Sequence, residues 1–262
     1  MVLNNNRDRQ RTRVVYVPVN TGGGSGGGSQ EKIKVGESGI KFSYSTFTKV
    51  PNVFDFSDVT DMYMMFEGCR SLTTVSEMDT SNVQLMSLMF NGCNSLTSIS
   101  PMDTSRVTDM FGMFQRCTSL SSIPPMNTSR VTSMHEMFNG CSRLTTVPEM
   151  DTSNVTSMRH MFNGCSSLTS ISEMDASNVD VYGMDSMFDG CTSLTNFGGL
   201  IGLKINLDLS SCPLTHDSIM NVINKAADVT ASPATLTLGP DNLAKLSDAE
   251  KAVATNKGWT LV

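Results

Sequence analysis

Six of the seven cysteines mark a repeat that runs through the middle of the chain. They are Cys69, Cys93, Cys117, Cys141 and Cys165, each 24 residues after the last, and Cys191 in a longer sixth unit. The surrounding letters hardly change, as in DTSNVTSMRHMFNGCSSLTSISEM at 151–174. A unit this short cannot bury its own apolar side chains, so they must pack on the same positions of the next unit. The pattern predicts a solenoid whose function lies on an extended surface.

Each unit is predicted to join a short strand, a turn and a short helix. Leu168 and Ile171 lie in a Ser/Thr-rich strand, whereas Met158 and Met161 have the three-residue spacing of one helix face. In the third unit Arg116 replaces the glycine that should end this helix. We expect a local distortion there, because a left-handed non-glycine residue costs about 1–2 kcal/mol.

The chain divides into five segments. We assign a basic anchoring arm to 1–21, a Gly/Ser linker to 22–30, a β-hairpin cap to 31–46, the repeat array to 47–198 and a C-terminal α/β cap to 199–262. The linker is either a native flexible coil or an engineered fusion scar. The hairpin follows from apolar alternation on both sides of Gly-Glu-Ser-Gly.

The C-terminal cap contains ordinary helix and strand patterns. Helices are predicted at about 215–228 and 241–256, with a strand at 235–238 between them. One apolar stripe should bury the first helix, formed by Ile219, Val222, Ile223 and Ala226. The predicted fold class is therefore an α/β solenoid with a cap at each end.

Composition and charge exclude several classes of partner. The formal net charge is −6 and the isoelectric point about 5.0, whereas proteins that bind nucleic acid usually present a basic face. No apolar run reaches the roughly 18 residues that a membrane helix needs, and the N-terminus does not read as a secretory signal. The cysteine spacing is unlike a disulfide framework, so we expect reduced and buried thiols.

Three residue sets suggest chemistry but have simpler structural explanations. Met-x-x-Met pairs beside cysteines suit Cu(I), yet both residue types also fill cores. One register of the repeat suits calcium and contains Asp79, Asp103, Asp151 and Asp175. Asn127 interrupts this register, and the Asp-Thr-Ser-Asn tetrad favours side-chain to backbone turns. The histidines share no position, so we predict no enzyme, no metal and no cofactor.

Two positions vary freely while the rest of each unit stays constant. They lie between the paired methionines, where an inward-facing methionine helix would turn them towards solvent. We predict that the partner-binding residues are Tyr63, Met64, Leu88, Phe111, His135, Glu136, Arg159 and His160. Such groups on a rigid frame suit recognition. Neutral drift at unconstrained surface sites is the alternative.

The N-terminal arm combines basic residues with an alternating apolar run. The residues predicted to anchor it are Arg7, Arg9, Arg11, Arg13, Val14, Val15, Tyr16 and Val17. The arginines would pair with acidic groups of a scaffold while the apolar run adds as a strand to a partner sheet. A disordered tail is the alternative.

The repeat resembles the BspA-like leucine-rich repeats, in the variant with TSNVT-x-Met-x-x-Met-Phe-x-Gly-Cys-x-Ser-Leu-Thr, over about residues 47–198. The resemblance implies a right-handed leucine-rich-repeat solenoid with a parallel strand ladder and a role in adhesion without catalysis. Members occur on bacterial and protist surface proteins and in viruses of gut bacteria. This chain differs from the bacterial members in its arm, its linker and its lack of a secretion signal, which favours a bacteriophage virion protein.

We therefore expect a non-enzymatic adhesion module on a phage head, tail fibre or decoration. The arm would dock to a capsid or tail protein, and the repeats would contact a host-surface protein or glycan. A purely structural virion decoration and a BspA-type adhesin on the bacterial cell surface stay open as alternatives. The expected location is the virion, without nucleic-acid binding or membrane insertion, and self-association into a homo-oligomer is also open.

Overall fold

A computed structural model describes residues 33–35 and 41–262. The predicted anchoring arm at 1–21 and the Gly/Ser linker at 22–30 lie outside the described residues, as do 31–32 and 36–40. The structure therefore covers the array, the C-terminal cap and part of the N-terminal cap.

Short parallel strands connect neighbouring units of the array. They are β1 (Ile33–Lys34), β2 (Phe54–Asp55), β3 (Thr74–Val75), β4 (Ser98–Ile99), β5 (Ser170–Ile171), β6 (Met174–Asp175), β7 (Asn196–Phe197) and β8 (Leu200–Ile201). β1 pairs with β2, β3 with β4, β5 with β7 and β6 with β8, all in parallel. Single bridges such as Thr146 with Ser170 extend the pairing to other units. The parallel strand ladder is confirmed, and its right-handed winding stays a prediction.

The methionine segment is not a helix. Alternate N–H groups donate to carbonyls of the next unit, as from Met64 to Ser87 at 3.1 Å, and the others close turns within the unit, as from Met65 to Met62 at 3.1 Å. The second residue between the methionines is left-handed, with φ of 56° at Met64 and 53° at His160, which an α-helix does not allow. The helix prediction is therefore wrong. The three-residue spacing arises from consecutive turns that are locked to the next unit.

The N-terminal cap continues the array instead of forming a hairpin. The Val35 N–H donates to the Asp55 carbonyl at 3.0 Å, beside the parallel pair of β1 and β2. The Phe42 N–H donates to the Met65 carbonyl at 2.7 Å, and the Phe42 and Phe66 ring centroids are 5.5 Å apart. Both described segments pair with the first full unit, so the hairpin prediction for 31–46 is wrong over its described part.

Identical side chains stack in columns and form one core. Rings in neighbouring units lie 5.5–5.9 Å apart and nearly parallel in a column of Phe42, Phe66, Phe90, Phe114, Phe138, Phe162 and Phe188. Both methionines of each pair are buried beside this column. An aromatic pair contributes about 0.5–1.5 kcal/mol beyond its buried area. The predicted packing of each unit on the next is confirmed.

Arg116 keeps the geometry of the glycine that it replaces. Its φ is 60°, and its N–H donates to the Asn139 carbonyl at 2.7 Å, as Gly92 does to Gln115 at 2.8 Å. The expected distortion is therefore wrong. The Arg116 side chain is exposed and meets no obstacle, so the left-handed backbone is retained at a cost of about 1–2 kcal/mol.

The C-terminal cap contains regular helices. Its elements are β9 (Leu207–Asp208), α1 (His216–Lys225), β10 (Ala234–Thr237), α2 (Pro240–Leu243), α3 (Asp248–Asn256) and β11 (Trp259–Leu261). β10 lies between β9 and β11, all in parallel, and the predicted apolar stripe of α1 is buried. The single helix predicted at 241–256 is two helices, because Ser247 and Glu250 form a capping box that starts α3. No helix in the described part of the chain is long and apolar enough to cross a bilayer.

Candidate binding surface

The variable positions between the methionines follow one another along the turn ladder, and we call them the turn row. Its pairs are Tyr63/Met64, Ser87/Leu88, Phe111/Gly112, His135/Glu136, Arg159/His160 and Asp185/Ser186. Tyr63, Arg159 and Asp185 are exposed, whereas Met64, Phe111, His135, Glu136, His160 and Ser186 are half-buried. The hydrogen bonds between units fix the backbone of each pair. Side chains of adjacent units are therefore held side by side.

Ring side chains form a continuous run in the middle of the turn row. The Phe111 ring centroid lies 5.2 Å from that of His135, which lies 6.2 Å from that of His160. His135 Nε2 is 3.4 Å from Glu136 Oε1. One unit further, Arg159 Nε is 3.8 Å from the carboxylate of Asp185. The structure thus brings five of the predicted binding residues into one surface with three rings and charges of both signs.

The other three predicted binding residues do not join this surface. Tyr63 and Met64 belong to the first unit, where the Lys41 ammonium lies 4.9 Å from the Tyr63 ring centroid. Leu88 is only 8% exposed, so the prediction that it faces solvent is wrong. The next unit has Gly112 at this position, and the Leu88 side chain occupies the space that a Cβ there would need, 2.6 Å away.

The aspartates of the repeat register cap turns. Oδ1 of Asp79, Asp103 and Asp151 accepts the N–H of the serine two residues later at 2.9–3.0 Å, and Asn127 does the same at 3.1 Å. Hydrogen bonds from the serine hydroxyl and N–H hold the pKa of these three carboxyls below its ordinary value. The predicted turns are confirmed. Among the described residues, no group of three or more His, Cys, Asp or Glu is placed to hold a metal ion.

The cysteine column belongs to the core. Each repeat thiol donates to the phenylalanine carbonyl of the preceding unit, as from Cys141 to Phe114 at 3.0 Å, and all seven cysteines are free and buried. Burial raises the pKa of Cys69 to about 11 and the pKa of Cys141 and Cys191 to about 12. The prediction of buried thiols is confirmed, and the sulfur columns serve packing.

A basic depression lies on the loop before the methionine segment and was not predicted. It has a volume of about 360 Å³ and is lined by Gln84, Arg106, Thr108 and Arg130. The sequence does contain a signal for it. The fourth residue of the Asp-Thr-Ser-Asn tetrad is Asn at 82, 154 and 178, and it is Arg in two adjacent units between them.

Comparisons with known proteins identify the repeat family. The crystal structure of the T. pallidum leucine rich repeat protein (TpLRR) shares 19% identity with the chain, covers 82% of this chain and 84% of that chain, and has a TM-score of 0.47. No curated protein matches the sequence. The family described as "Mycoplasma protein of unknown function, DUF285" matches residues 40–147 and 119–200. These matches span more than half of the chain and most of the array, so the chain belongs to the DUF285 family.

Proposed function

We propose that this protein is a non-enzymatic binding module that contacts its partner through the turn row. The N-terminal arm would attach it to a larger particle, a phage virion, and the partner would be a protein or glycan on a host cell surface. We infer the virion and the host cell from the resemblance of the repeat and from the basic arm. The binding role itself rests on the array.

One contrast within each unit supports this role. Side chains that face the core repeat nearly unchanged, whereas those of the turn row differ from unit to unit. The backbone beneath them is held by the same hydrogen bonds to the next unit in the first five units. A partner would therefore meet a preorganised frame, and ordering the surface on binding would cost little conformational entropy.

The chemistry of the central turn row suits a partner with both apolar and polar groups. Aromatic and cationic side chains supply most binding energy in protein recognition, and here Phe111, His135 and His160 lie beside Arg159. All three ring residues are half-buried, so part of each side chain stays open to a partner. Such a surface binds through stacking and hydrogen bonding, without covalent chemistry.

Cell binding by the full-length protein tests the proposal. We expect Phe111→Ala, His135→Ala and His160→Ala together to weaken binding to recognised bacterial cells about tenfold or more, measured by flow cytometry across a panel of species. The matched control carries Ser98→Ala, Ser122→Ala and Thr146→Ala, three exposed positions on the strand side. Melting temperatures verify that both variants fold. Equal binding by the two variants contradicts the turn row as the contact surface.

The arm has its own experiment. Deleting residues 1–29 should leave the array folded and abolish incorporation into the particle, as measured by electron microscopy and protein content of purified particles. Unchanged incorporation rejects the anchoring role. A protein that decorates particles but binds no cells supports the purely structural alternative instead.

A further inference from the structure

The fourth residue of the tetrad normally ties one unit to the preceding one. Asn154 Nδ2 donates to the Ser129 carbonyl at 2.8 Å, and Asn178 Nδ2 donates to the Ser153 carbonyl at 2.7 Å. Lys204 occupies the corresponding place after the sixth unit, and its Nζ donates to a serine carbonyl at 2.7 Å. An architectural role for this position is therefore visible along most of the array.

Arg106 and Arg130 occupy the same position but do not tie their units together in this way. Arg106 Nη1 donates to the side-chain Oδ1 of Asn82 at 3.0 Å instead of a backbone carbonyl. The Arg130 side chain makes no hydrogen bond with the described part of the protein, and within the same residues neither arginine forms an ion pair. Both are exposed. Two adjacent units therefore have a guanidinium group at the tetrad position where asparagine, in other units, bonds to the preceding unit.

The lining of the depression carries two cations in a protein whose net charge is −6. Asp103, in the same loop as Arg106, accepts the Ser105 N–H at 2.9 Å. The corresponding residue in the next unit is neutral Asn127, so Arg130 has no acidic neighbour at this register position. Asp103 stays ionised, because the Ser105 hydrogen bonds and the charge of Arg106 lower its pKa. An anion in the depression would therefore meet two cations, one of which also has this carboxylate in its own loop.

The depression is a built feature of the ladder. Thr108 donates to the Gln84 carbonyl through its N–H at 3.0 Å and through its hydroxyl at 3.4 Å, which fixes the floor. The arginines are one ladder step apart, and neighbouring strands lie about 4.8 Å from each other. The volume of about 360 Å³ falls within the range of about 300–1,000 Å³ that small-ligand sites occupy.

We propose that this depression binds a carboxylate of an acidic saccharide of the uronic-acid type. The guanidinium groups match a carboxylate in geometry and charge, and the Gln84 amide and Thr108 hydroxyl suit sugar hydroxyls. The four lining residues are all polar or charged, unlike the apolar, charge-depleted centre of a protein interface. This chemistry favours a saccharide over an acidic peptide. The site is separate from the turn row.

Titration calorimetry of the full-length protein with tetragalacturonate tests the site. We expect Arg106→Asn or Arg130→Asn to weaken binding about tenfold each, and the double variant about 100-fold. Asparagine is the residue of the neighbouring units, so the variants should fold with unchanged melting temperatures. The control is Arg143→Asn, an exposed arginine that does not line the depression. Wild-type affinity in the double variant overturns the proposal.

Two further probes identify the ligand class. Neutral maltotetraose should not bind, and tetraglutamate should bind about tenfold or more weakly than tetragalacturonate. Tighter binding of the peptide overturns the saccharide assignment. The triple turn-row variant should bind tetragalacturonate as the wild type does, which keeps this site distinct from the proposed function. Loss of binding in that variant would place the saccharide on the turn row and reject the depression.

Discussion

The array and the C-terminal cap bury the same kinds of side chain but satisfy their backbones differently. In the array, alternate N–H groups of the methionine segment donate to the next unit. In the cap, α1 and α3 satisfy most of their N–H groups internally, and Thr215 and Ser247 cap their first turns. A unit of the array therefore lacks hydrogen-bond partners without a neighbour, whereas a helix of the cap supplies its own.

Because the array and the cap satisfy their backbones differently, they should also unfold differently. Stacked repeats behave as a chain of units coupled to their nearest neighbours, so opening should start at an end and move inwards. In the cap, α3 packs on β11 of the three-stranded sheet and on α1, and α1 packs on β7 and β8. The cap should therefore open as one piece. Phe197, whose ring centroid is 5.2 Å from that of Phe188, joins the two regions.

Thiol labelling offers the largest expected effect. Burial raises the pKa of Cys141 from 9.0 to about 12, which lowers its thiolate fraction at pH 8 about 1,000-fold. We expect native labelling at least about 1,000-fold slower than labelling in denaturant. Cys69, at the N-terminal end and with a pKa of about 11, should react before Cys141. The rates are followed by mass spectrometry of each cysteine peptide.

The order of labelling shows whether the array and the cap open separately. Cys212 of the cap is also buried, and burial raises its pKa as well. If the two regions open separately, Cys212 should label at a rate unrelated to its distance from Cys69. Simultaneous labelling of all seven thiols would instead show one cooperative unit, and rapid labelling in native buffer would contradict burial.

Phe114→Ala should cause the largest loss of stability. The ring is fully buried in the middle of the phenylalanine column, and its removal costs about 3–5 kcal/mol. Trp259, the one tryptophan of the chain, is buried in the cap and reports on that region alone. In urea, we expect the transition of the array, followed by pulsed hydrogen exchange of its peptides, to shift while the Trp259 fluorescence transition stays in place.

Phe111→Ala is the matched control for Phe114→Ala, because it removes a half-buried ring from the same unit. It should cost about 1 kcal/mol or less. Equal shifts of the hydrogen-exchange and fluorescence transitions in Phe114→Ala would show that the array and the cap unfold together.

The columns of the array were predictable, but the backbone path within a unit was not. Phe162 and Cys165 recur with the unit and have to stack wherever the chain turns. The spacing of Met158 and Met161, however, fits a helix and consecutive turns equally well. The left-handed residue decides between them, and most units place a non-glycine residue there, such as His160. The first cap helix was predictable because its apolar stripe is a local signal, whereas the capping box that starts α3 at Ser247 was missed.

The candidate surfaces, too, could be predicted from the sequence only in part. Partial exposure of most of the turn row followed from its variability, but burial of Leu88 depends on Gly112 in the neighbouring unit. The basic depression likewise needs Arg106 and Arg130 to stand in adjacent units. A property shared between units is visible only after the units are aligned in register.

Arg116→Gly should stabilise the array by about 1 kcal/mol. Arg116 has a φ of 60°, and glycine adopts this conformation without strain. The free energy of unfolding from urea titration measures the gain. Arg143→Gly is the control, since Arg143 is also exposed but is not left-handed, and it should lose about 0.4–1 kcal/mol. A loss of stability in both variants would show that the Arg116 side chain compensates for its strain.

The smallest effect concerns the pH dependence of the cap. Glu250 accepts hydrogen bonds from Ser247 and pairs with His216 Nε2 at 2.8 Å. The Ser247 bonds, then the His216 bond, lower the pKa of Glu250 from 4.5 to about 2. The bonds to Glu250 and Asp217 raise the pKa of His216 from 6.5. The pair bridges the N-terminal ends of α1 and α3.

The sign of each contribution follows from these directions. A lowered carboxyl pKa stabilises above pH 4.5 and is lost as the pH falls towards 2. A raised imidazole pKa stabilises below pH 6.5 and is lost as the pH rises through its folded value. Both contributions are therefore present between pH 4.5 and 6.5, where the Trp259 unfolding midpoint should be highest.

Glu250→Gln should flatten this maximum by a small amount, because solvent screens an exposed pair. Asp248→Asn, in the first turn of the same helix, is the control and should keep the maximum. The variants are compared through Trp259 fluorescence in urea at pH 3, 5.5 and 8, while pulsed hydrogen exchange of its peptides follows the array. A maximum as high in Glu250→Gln as in the wild type, or one that vanishes in Asp248→Asn, contradicts the assignment. If the array transition follows the Glu250→Gln change as closely as the cap does, the two regions are one folding unit.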